Sequence, residues 1–343
     1  MPGARDPVAG RLRAGGRALL LLADPVSVSI LLHLGSGPLE SAELLEGVRF
    51  ASRSTYFERM RDMEELSLVS RTRQPDVPPT VECRLSSHGE RLLPVAARLD
   101  VWLTQAPSGP LKLGDAYAGG TVKALAVAWG STLLRWLSER PRSLTELERL
   151  VHVFGYRKLE RIMRDLTAAG LIERVSVEGR LSPYCVTAWA RWAASLLTAA
   201  MRWERDEIPS RSAVVSSIEA EGVMLLGLPM IELPPSASGS CALLVDASGS
   251  ADCLGGAVVR LLDGRPTSWE AVGGSDPEAI EAGADCWVRG TTLAWLGTHG
   301  DAPQVFEVGG DADLAERVMA GLREMGSRRP RLAVGGEGSA SDF

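Results

Sequence analysis

Apolar residues in the first hundred positions recur at three- and four-residue spacings, and short polar or glycine stops interrupt them. This is the signature of consecutive amphipathic helices. A first helix is predicted over 11–22. Asp24 followed by Pro25 is a good start for a second, which runs to Leu34 and stops at Gly35. A short helix is predicted over 41–46, closed by Gly47. Ser52 opens a longer one over 53–66, in which Tyr56, Met60 and Met63 share one face, while Arg53, Ser54, Phe57, Glu58 and Arg61 share the other. Two strand-like runs follow, 68–73 and 81–85. The proline-rich 74–79 between them reads as a loop. A last helix is predicted from Ser86 towards Leu103.

The pattern then returns. Met60 to Arg71 reads MRDMEELSLVSR and Met163 to Arg174 reads MRDLTAAGLIER, aligned without gaps. The second stretch predicts helices over 116–127 and 131–139, then a short helix opened by the capping-box pair Ser143 and Glu146. A longer helix over 156–169 ends at Gly170. Strands are predicted over 171–177 and 180–184 around the turn Glu178-Gly179, and a long closing helix over 187–204. Residues 106–114, rich in Pro and Gly, read as a linker, and 206–211 as a second boundary. Beyond it the period changes to short strands, 241–246, 256–262 and 266–272, then strand, helix, strand over 284–288, 292–296 and 304–308. Asp311 caps a last helix, 312–325, and 326–343 has a Gly-, Ser- and Arg-rich composition that suits disorder.

Composition changes this picture little. Hydrophobic residues make up 45% and charged residues 23%, an ordinary globular balance, and no apolar run is long enough to span a bilayer. The N-terminal leucines are too few for a secretory signal core. The five cysteines form no CxxC pair and no zinc spacing with the four histidines, which fits a reducing cytoplasm. Net charge is −6, with a mildly basic front and an acidic back after residue 209. This split suits a nucleic-acid-facing front joined to a back with another task. His33, His88, His152 and His299 are isolated, and Gly273-Gly274 and Gly309-Gly310 match no phosphate-binding loop. The sequence therefore predicts no enzyme, no cofactor and no metal.

Helix, helix, short helix, longer helix and a two-stranded wing is the winged helix-turn-helix layout, in which the longer helix enters the major groove. The stretch RTRQPDVPPTVECRLSSHGERLLPVAARLDVW resembles the HxlR family, a branch of the MarR-like winged-helix regulators, over 11–103. Its marks are an Arg-rich strand, a P-x-V-P-P wing, a V-E-x-x-L return strand and a Ser-x-x-Gly helix start. The resemblance implies a bacterial, homodimeric transcription regulator that binds double-stranded DNA. Arg53, Ser54, Phe57 and Arg61 would reach base edges, and the wing arginines Arg71, Arg73 and Arg84 would meet phosphates. Three departures stand out: Ala23-Asp24-Pro25 replaces the usual Gly-Lys-Trp, Ser67 replaces a turn glycine, and the N-terminal Cys of redox-sensing members is absent. The second stretch resembles the same superfamily more loosely, with Arg157, Lys158, Arg161 and Arg164 as its candidate DNA contacts. DCWVRGTTLAWL and FEVGGDADLAERVMAGL resemble the small α/β sterol-carrier-protein domain over 240–325, which implies an apolar tunnel. Trp269, Trp287 and Trp295 are its candidate lining.

The fold expected is thus multi-domain α+β: two tandem winged helix-turn-helix domains, 1–105 and 116–209 with a linker at 106–115, followed by a sterol-carrier-like domain, 210–325, and a tail, 326–343. The function expected is a cytoplasmic DNA-binding regulator controlled by a small hydrophobic ligand. It would act as a homodimer or as a monomer with an intramolecular pseudo-dimer. Two rivals remain at this point: a winged-helix ligand-binding or dimerising protein that does not bind DNA, and a nucleic-acid enzyme such as a DNA glycosylase.

Overall fold

The computed structural model describes residues 13–48, 50–75, 80–151, 154–175, 183–208, 215–246, 255–273, 276–297 and 305–327. The first unit runs α1 (Gly16–Leu22), α2 (Pro25–Gly35), β1 (Leu39–Glu40), α3 (Ser41–Gly47), α4 (Arg53–Glu65), β2 (Val69–Arg73), β3 (Val81–Leu85), α5 (Ser87–Glu90) and α6 (Leu93–Leu103). Its three strands pair antiparallel in the order β1-β3-β2, with Val69 opposite Leu85. Asp24 caps α2 by accepting from Ser27 N, with Pro25 at the first turn. Ser52 caps α4 by accepting from Thr55 N. Tyr56, Met60 and Met63 are buried, as their spacing predicts.

The same order of helices and wing strands recurs, with β1 reduced to a single bridge between Arg142 and Tyr184, as α7 (Ala116–Gly130), α8 (Leu133–Glu139), α9 (Leu144–Leu150), α10 (Tyr156–Ala168), β4 (Ile172–Arg174), β5 (Tyr184–Val186), α11 (Ala188–Arg191) and α12 (Ala193–Glu207). The Ser143–Glu146 capping box is formed. Then come α13 (Ser217–Gly227), β6 (Gly239–Asp246), β7 (Gly255–Leu262), β8 (Arg265–Ala271), α14 (Pro277–Gly283), β9 (Cys286–Thr291), α15 (Thr292–Trp295), β10 (Phe306–Gly310) and α16 (Ala312–Ser327). The five strands form one sheet in the order β10-β9-β6-β7-β8, with only β6 and β9 parallel. Cys241, Leu243, Val245, Val259 and Val288 face a core shared with α13 and α16. Ala242, Leu244 and Val272 face the other way, where Ile280 of α14 and Trp287 cover them.

Several predicted boundaries shift. The first helix begins at Gly16 rather than residue 11, because Gly15 takes a left-handed φ of 84°; residues 11 and 12 lie outside the described residues. The helix predicted from Ser86 breaks before α6, since Pro94 in its first turn cannot donate to the carbonyl four residues back. The closing helix of the second unit breaks at Trp192, with no proline there. The return strand is Tyr184–Val186 rather than 180–184, set by the pairing of Ile172 with Val186. The middles of both wings (76–79 and 176–182), the Glu178-Gly179 turn among them, and the tail from 328 lie outside the described residues. Helices α13 and α14 were not anticipated.

The larger correction concerns domain independence. The first two units do not bury separate cores: one apolar cluster runs from Ala14 to Ile208 through both, and takes in Val215, Leu226 and Leu296 from beyond them. The cause is a seam in which α1 lies against α7 and α6 against α12. Trp102 and Trp189 stack there with ring centroids 4.1 Å apart. The predicted linker is part of it, with Ala106 and Leu113 buried. The third region is held to the second unit by polar contacts as well. Arg135 pairs with the buried Glu221, which also accepts from Gly256 N at 3.0 Å. The Trp269 indole donates to Ser138 O at 2.7 Å. Arg191 donates to the carbonyls of Ser138, Leu225 and Leu226; burial pulls its pKa down to about 10.

Ser67 stands at φ 57°, the left-handed position that Gly170 occupies at φ 71° in the second unit. A Cβ is strained there, and glycine is not. Ser67→Gly should raise unfolding stability by about 0.5–1 kcal/mol after the entropy that glycine adds to the unfolded chain; a urea melt with unchanged or lower stability would contradict the strain. The capping box makes a second prediction. Bonds from the Ser143 backbone and hydroxyl hold the Glu146 carboxyl down at about 2, against an ordinary 4.5. A carboxyl depressed in the folded state stabilises the fold above its unfolded pKa and loses that contribution as pH falls from about 4.5 to about 2. Ser143→Ala should lift the Glu146 midpoint in a carboxyl NMR titration, and an unmoved midpoint would count against the box.

Candidate nucleic-acid interface

Helix α4 is fixed from both ends of its buried face. Tyr56, Met60 and Met63 enter the core. On its flank, Arg59 bridges Asp24, the cap of α2, at 3.3 Å and Asp62 at 2.8 Å; the hydrogen bond to Asp62 is the main reason its pKa rises. Arg59 was missed by the sequence reading. Its signal is the i, i+3 spacing to Asp62, whereas the contact with Asp24 depends on how α2 and α4 cross. These bonds hold α4 against the start of α2 and leave its other face to solvent.

That face carries the predicted residues. Arg53, Ser54, Phe57, Glu58 and Arg61 are all exposed, with Phe57 at 46% although it is a large aromatic. Among the described residues no ion pair engages Arg53, Arg61 or Arg73. Ser54 is partly committed, its hydroxyl 2.8 Å from that of the cap Ser52. The wing arginines divide. Arg73 projects from the exposed end of β2. Arg71 is drawn back onto α4 by two bonds of 2.5 Å to Glu64, which raise its pKa. Arg84 is paired with Glu82 along its own strand. Among the described wing residues Arg71 and Arg84 are exposed but paired, and Arg73 is exposed without an ion pair.

Helix α10 presents a second cationic face. Leu159, Ile162, Met163 and Leu166 point inward, while Tyr156, Arg157, Lys158, Glu160, Arg161 and Arg164 are exposed. Lys158 lies 5.0 Å over the Phe154 ring, and Arg164 approaches Glu160 at 3.8 Å. On its wing Arg174 donates to the Tyr184 hydroxyl at 2.6 Å. Its N-cap is Gly155, with no side chain to accept from the first turn.

Of the three tryptophans proposed to line a tunnel, Trp269 and Trp295 pack against the same core under the sheet, and Trp287 does not. Trp269 packs on the second unit under Arg191. Trp287 lies on the far face of the sheet with Ala242 and Leu244, because neighbouring residues of a strand point to opposite faces. Trp295 alone borders a cavity, and that cavity lies between the third region and the seam helices. It measures about 550 Å³ and is lined by Arg98 of α6, Thr198 and Arg202 of α12, Val223 and Met224 of α13, Trp295, Phe306, and Met319 and Leu322 of α16. The Trp295 indole donates to Leu244 O at 2.8 Å and meets Phe306 edge-on at 4.9 Å. Arg202 donates to Leu296 O; burial, then the charges of Arg205 and Arg98, pull its pKa down to about 10.

Among the described residues no group of His, Cys, Asp and Glu is placed to hold a metal ion. Four cysteines are described, all as free thiols. Cys241 and Cys286 are neighbours across β6 and β9, a proximity invisible to spacing rules. No single described helix is long and apolar enough to cross a membrane. The bent pair α1 and α2 passes by composition, and most of its apolar residues are core.

Comparison with known proteins picks out the first unit. An uncharacterized HTH-type transcriptional regulator of Synechocystis is 31% identical over 75 residues. That match covers 22% of this chain, and the chain spans 56% of the relative's length. A solved protein from Porphyromonas gingivalis W83, described as a transcriptional regulator of the MarR family, shares 19% identity with a TM-score of 0.23, over 29% of this chain and 90% of its own. Residues 21–108, from the end of α1 to just past α6, match the family model of the HxlR-like helix-turn-helix, and the N-terminal unit is a winged helix-turn-helix of that type.

Proposed function

We propose that the chain is a DNA-binding transcription regulator rather than an enzyme. The observation that carries this reading is the division of α4, in a unit that matches the HxlR-like helix-turn-helix. Its apolar face is consumed by the core and its flank is locked by Arg59, while Arg53 and Arg61 remain exposed on the outer face. Arg53 in the first turn and Arg61 two turns on are spaced to follow a major groove, where guanidinium groups pair bidentately with guanine. Arg73 on the wing meets phosphate. The second unit is read as another winged helix. The third region is read as a sensor domain of the sterol-carrier-like kind.

The ligand reading moves from the sheet interior to the cavity at Trp295. Its walls are mostly apolar, yet Arg98, Arg202 and Arg323 border it against a single carboxylate, Glu324. Like charges at a desolvated guanidinium favour an incoming anion. The occupant proposed is an amphiphilic carboxylate with an apolar body. Because α6 and α12 line the cavity and also form the seam, a ligand with different affinities for two seam arrangements would shift the reading helices.

Fluorescence anisotropy with duplex from the gene's own upstream region tests the first part. Arg53→Ala and Arg61→Ala should each cost specific binding about 1–3 kcal/mol. Arg73→Ala should weaken all duplexes alike and flatten the salt dependence by about one counterion. Full affinity in both α4 variants would falsify the assignment of α4. For the ligand, tryptophan emission of the full chain should respond to medium-chain or aromatic carboxylates and not to their amides, and Met224→Trp, which fills the cavity, should abolish the response. Equal response to acid and amide would remove the role given to Arg202.

A further inference from the structure

We infer that the first two units form an internal pseudo-dimer, so that one chain presents two recognition helices, α4 and α10, to one duplex and reads two unequal half-sites. The inference rests on the DNA-binding reading above; the internal pairing itself does not. Residues of the first unit correspond to those 103 positions on through α3 and α4, and 101 positions on after the wing, which is two residues shorter in the second unit. Local chemistry follows this correspondence. Ser67 and Gly170 both take left-handed backbone. Ser86 and Thr187 both cap the next turn, accepting from Gly89 N and Ala190 N, and both send their hydroxyls back, to Ser67 O and Gly170 O.

One pair of bonds between the units is related by a two-fold rule, while the Trp189 indole bond to Trp102 O and the Arg91–Glu207 pair have no counterpart among the described residues. Trp102 and Trp203 are equivalent positions, as are His88 and Trp189. The Trp102 indole donates to Trp189 O at 3.0 Å, and the Trp203 indole donates to His88 O at 3.0 Å. The same bond is made in both directions across the seam. Helix α6 packs on its own equivalent α12, and α1 on its own equivalent α7. Even the surface follows. The groove bordered by Arg17, Leu20, Asp24, Arg59 and Asp62 has a counterpart at Gly120, Lys123, Val127, Ile162 and Asp165, each about 450 Å³. A relation in which i meets j and j meets i is the mark of an isologous dimer interface.

Two consequences separate this arrangement from a homodimer of whole chains. The apolar faces of α1, α6 and α12 are already spent: Leu19, Leu99, Leu103, Leu197 and Met201 are fully buried within one chain. The two reading faces also differ position by position. Arg53, Ser54, Phe57 and Glu58 on α4 correspond to Tyr156, Arg157, Glu160 and Arg161 on α10. A palindrome would leave one helix facing the wrong bases. The preferred duplex should be asymmetric, with half-sites about one helical turn apart.

The test selects duplexes from a random-sequence library with the full chain and weighs the complexes by light scattering. The expected result is one chain per duplex on a non-palindromic site. Lys158→Ala with Arg161→Ala, both exposed and outside the seam, should weaken binding about five-fold or more, as Arg53→Ala does. Each set should relax base preference in a different half. Two chains on a palindrome, with the α10 variant silent, would overturn the pseudo-dimer. A library that yields no preferred duplex would overturn the DNA reading and the paired reading helices together. The mass of the free chain then decides the internal pairing by itself: a particle of one chain upholds it, and a stable two-chain particle overturns it.

Discussion

Burial of α1 against α7 and α6 against α12 is the constraint on which the rest of the molecule depends. These helices carry leucine, alanine and tryptophan on the faces they share, and neither unit has another place to put them. The seam also satisfies the polar atoms it buries. The indoles of Trp102, Trp189 and Trp203 each donate to a backbone carbonyl of the opposite unit. An orphaned buried donor costs about 1–3 kcal/mol, so shifting the seam by one residue would penalise three groups at once. Register is thereby fixed as well as affinity. The positions of α4 and α10 follow from it, since each is attached to the seam through its own unit.

Charge is used elsewhere to bind the third region to this frame. Glu221 is almost fully buried, and it is tolerated because Arg135 and the Gly256 amide meet both of its oxygens. Such a pair adds little net stability over an apolar replacement, but breaking it strands a buried charge. Its effect is to specify where β7 sits against α8 and α13. Arg191 does similar service, gathering three carbonyls where α8, α11 and α13 meet. The cavity beside Trp295 exists because the sheet is held at this distance from α12. In the proposed regulator, a ligand there touches the frame directly rather than through a flexible linker.

Much of this was legible in the sequence because it is local. Ser52 before Arg53, Asp24 before Pro25 and Ser143 three residues before Glu146 state the helix starts, and the structure makes each of those caps. The spacing of Tyr56, Met60 and Met63 states the buried face of α4. The repeat MRDMEELSLVSR and MRDLTAAGLIER states that one layout of elements occurs twice. What was not legible is non-local. The pairing of Arg71 with Glu64 and of Arg59 with Asp24 turns one candidate contact residue and an unnoticed neighbour into structural ties. Three tryptophans that look alike in composition are divided, because strand alternation puts Trp287 on the face of the sheet opposite the core that Trp269 and Trp295 pack against. The sharing of one core by the two units depends on which faces meet, and no single helix reveals that.

The two units have diverged most where their mutual packing matters least. One pair of equivalent bonds is kept across the seam, and the grooves beside α4 and α10 keep their place and size but differ in lining. In the first unit Asp24, Arg59 and Asp62 form an ion network that ties α4 to the start of α2. At the equivalent places the second unit has Val127, Ile162 and Asp165, and no arginine to bridge them. The helix starts differ in the same sense: Ser52 accepts from the first turn of α4, whereas Gly155 offers α10 no side-chain acceptor. A capped, ion-locked helix resists tilting more than an uncapped one resting on apolar contacts, because directional bonds must break for it to move and dispersion contacts can slide. In the proposed regulator the frame thus holds α4 rigidly and leaves α10 more adjustable, an asymmetry that two identical chains could not build.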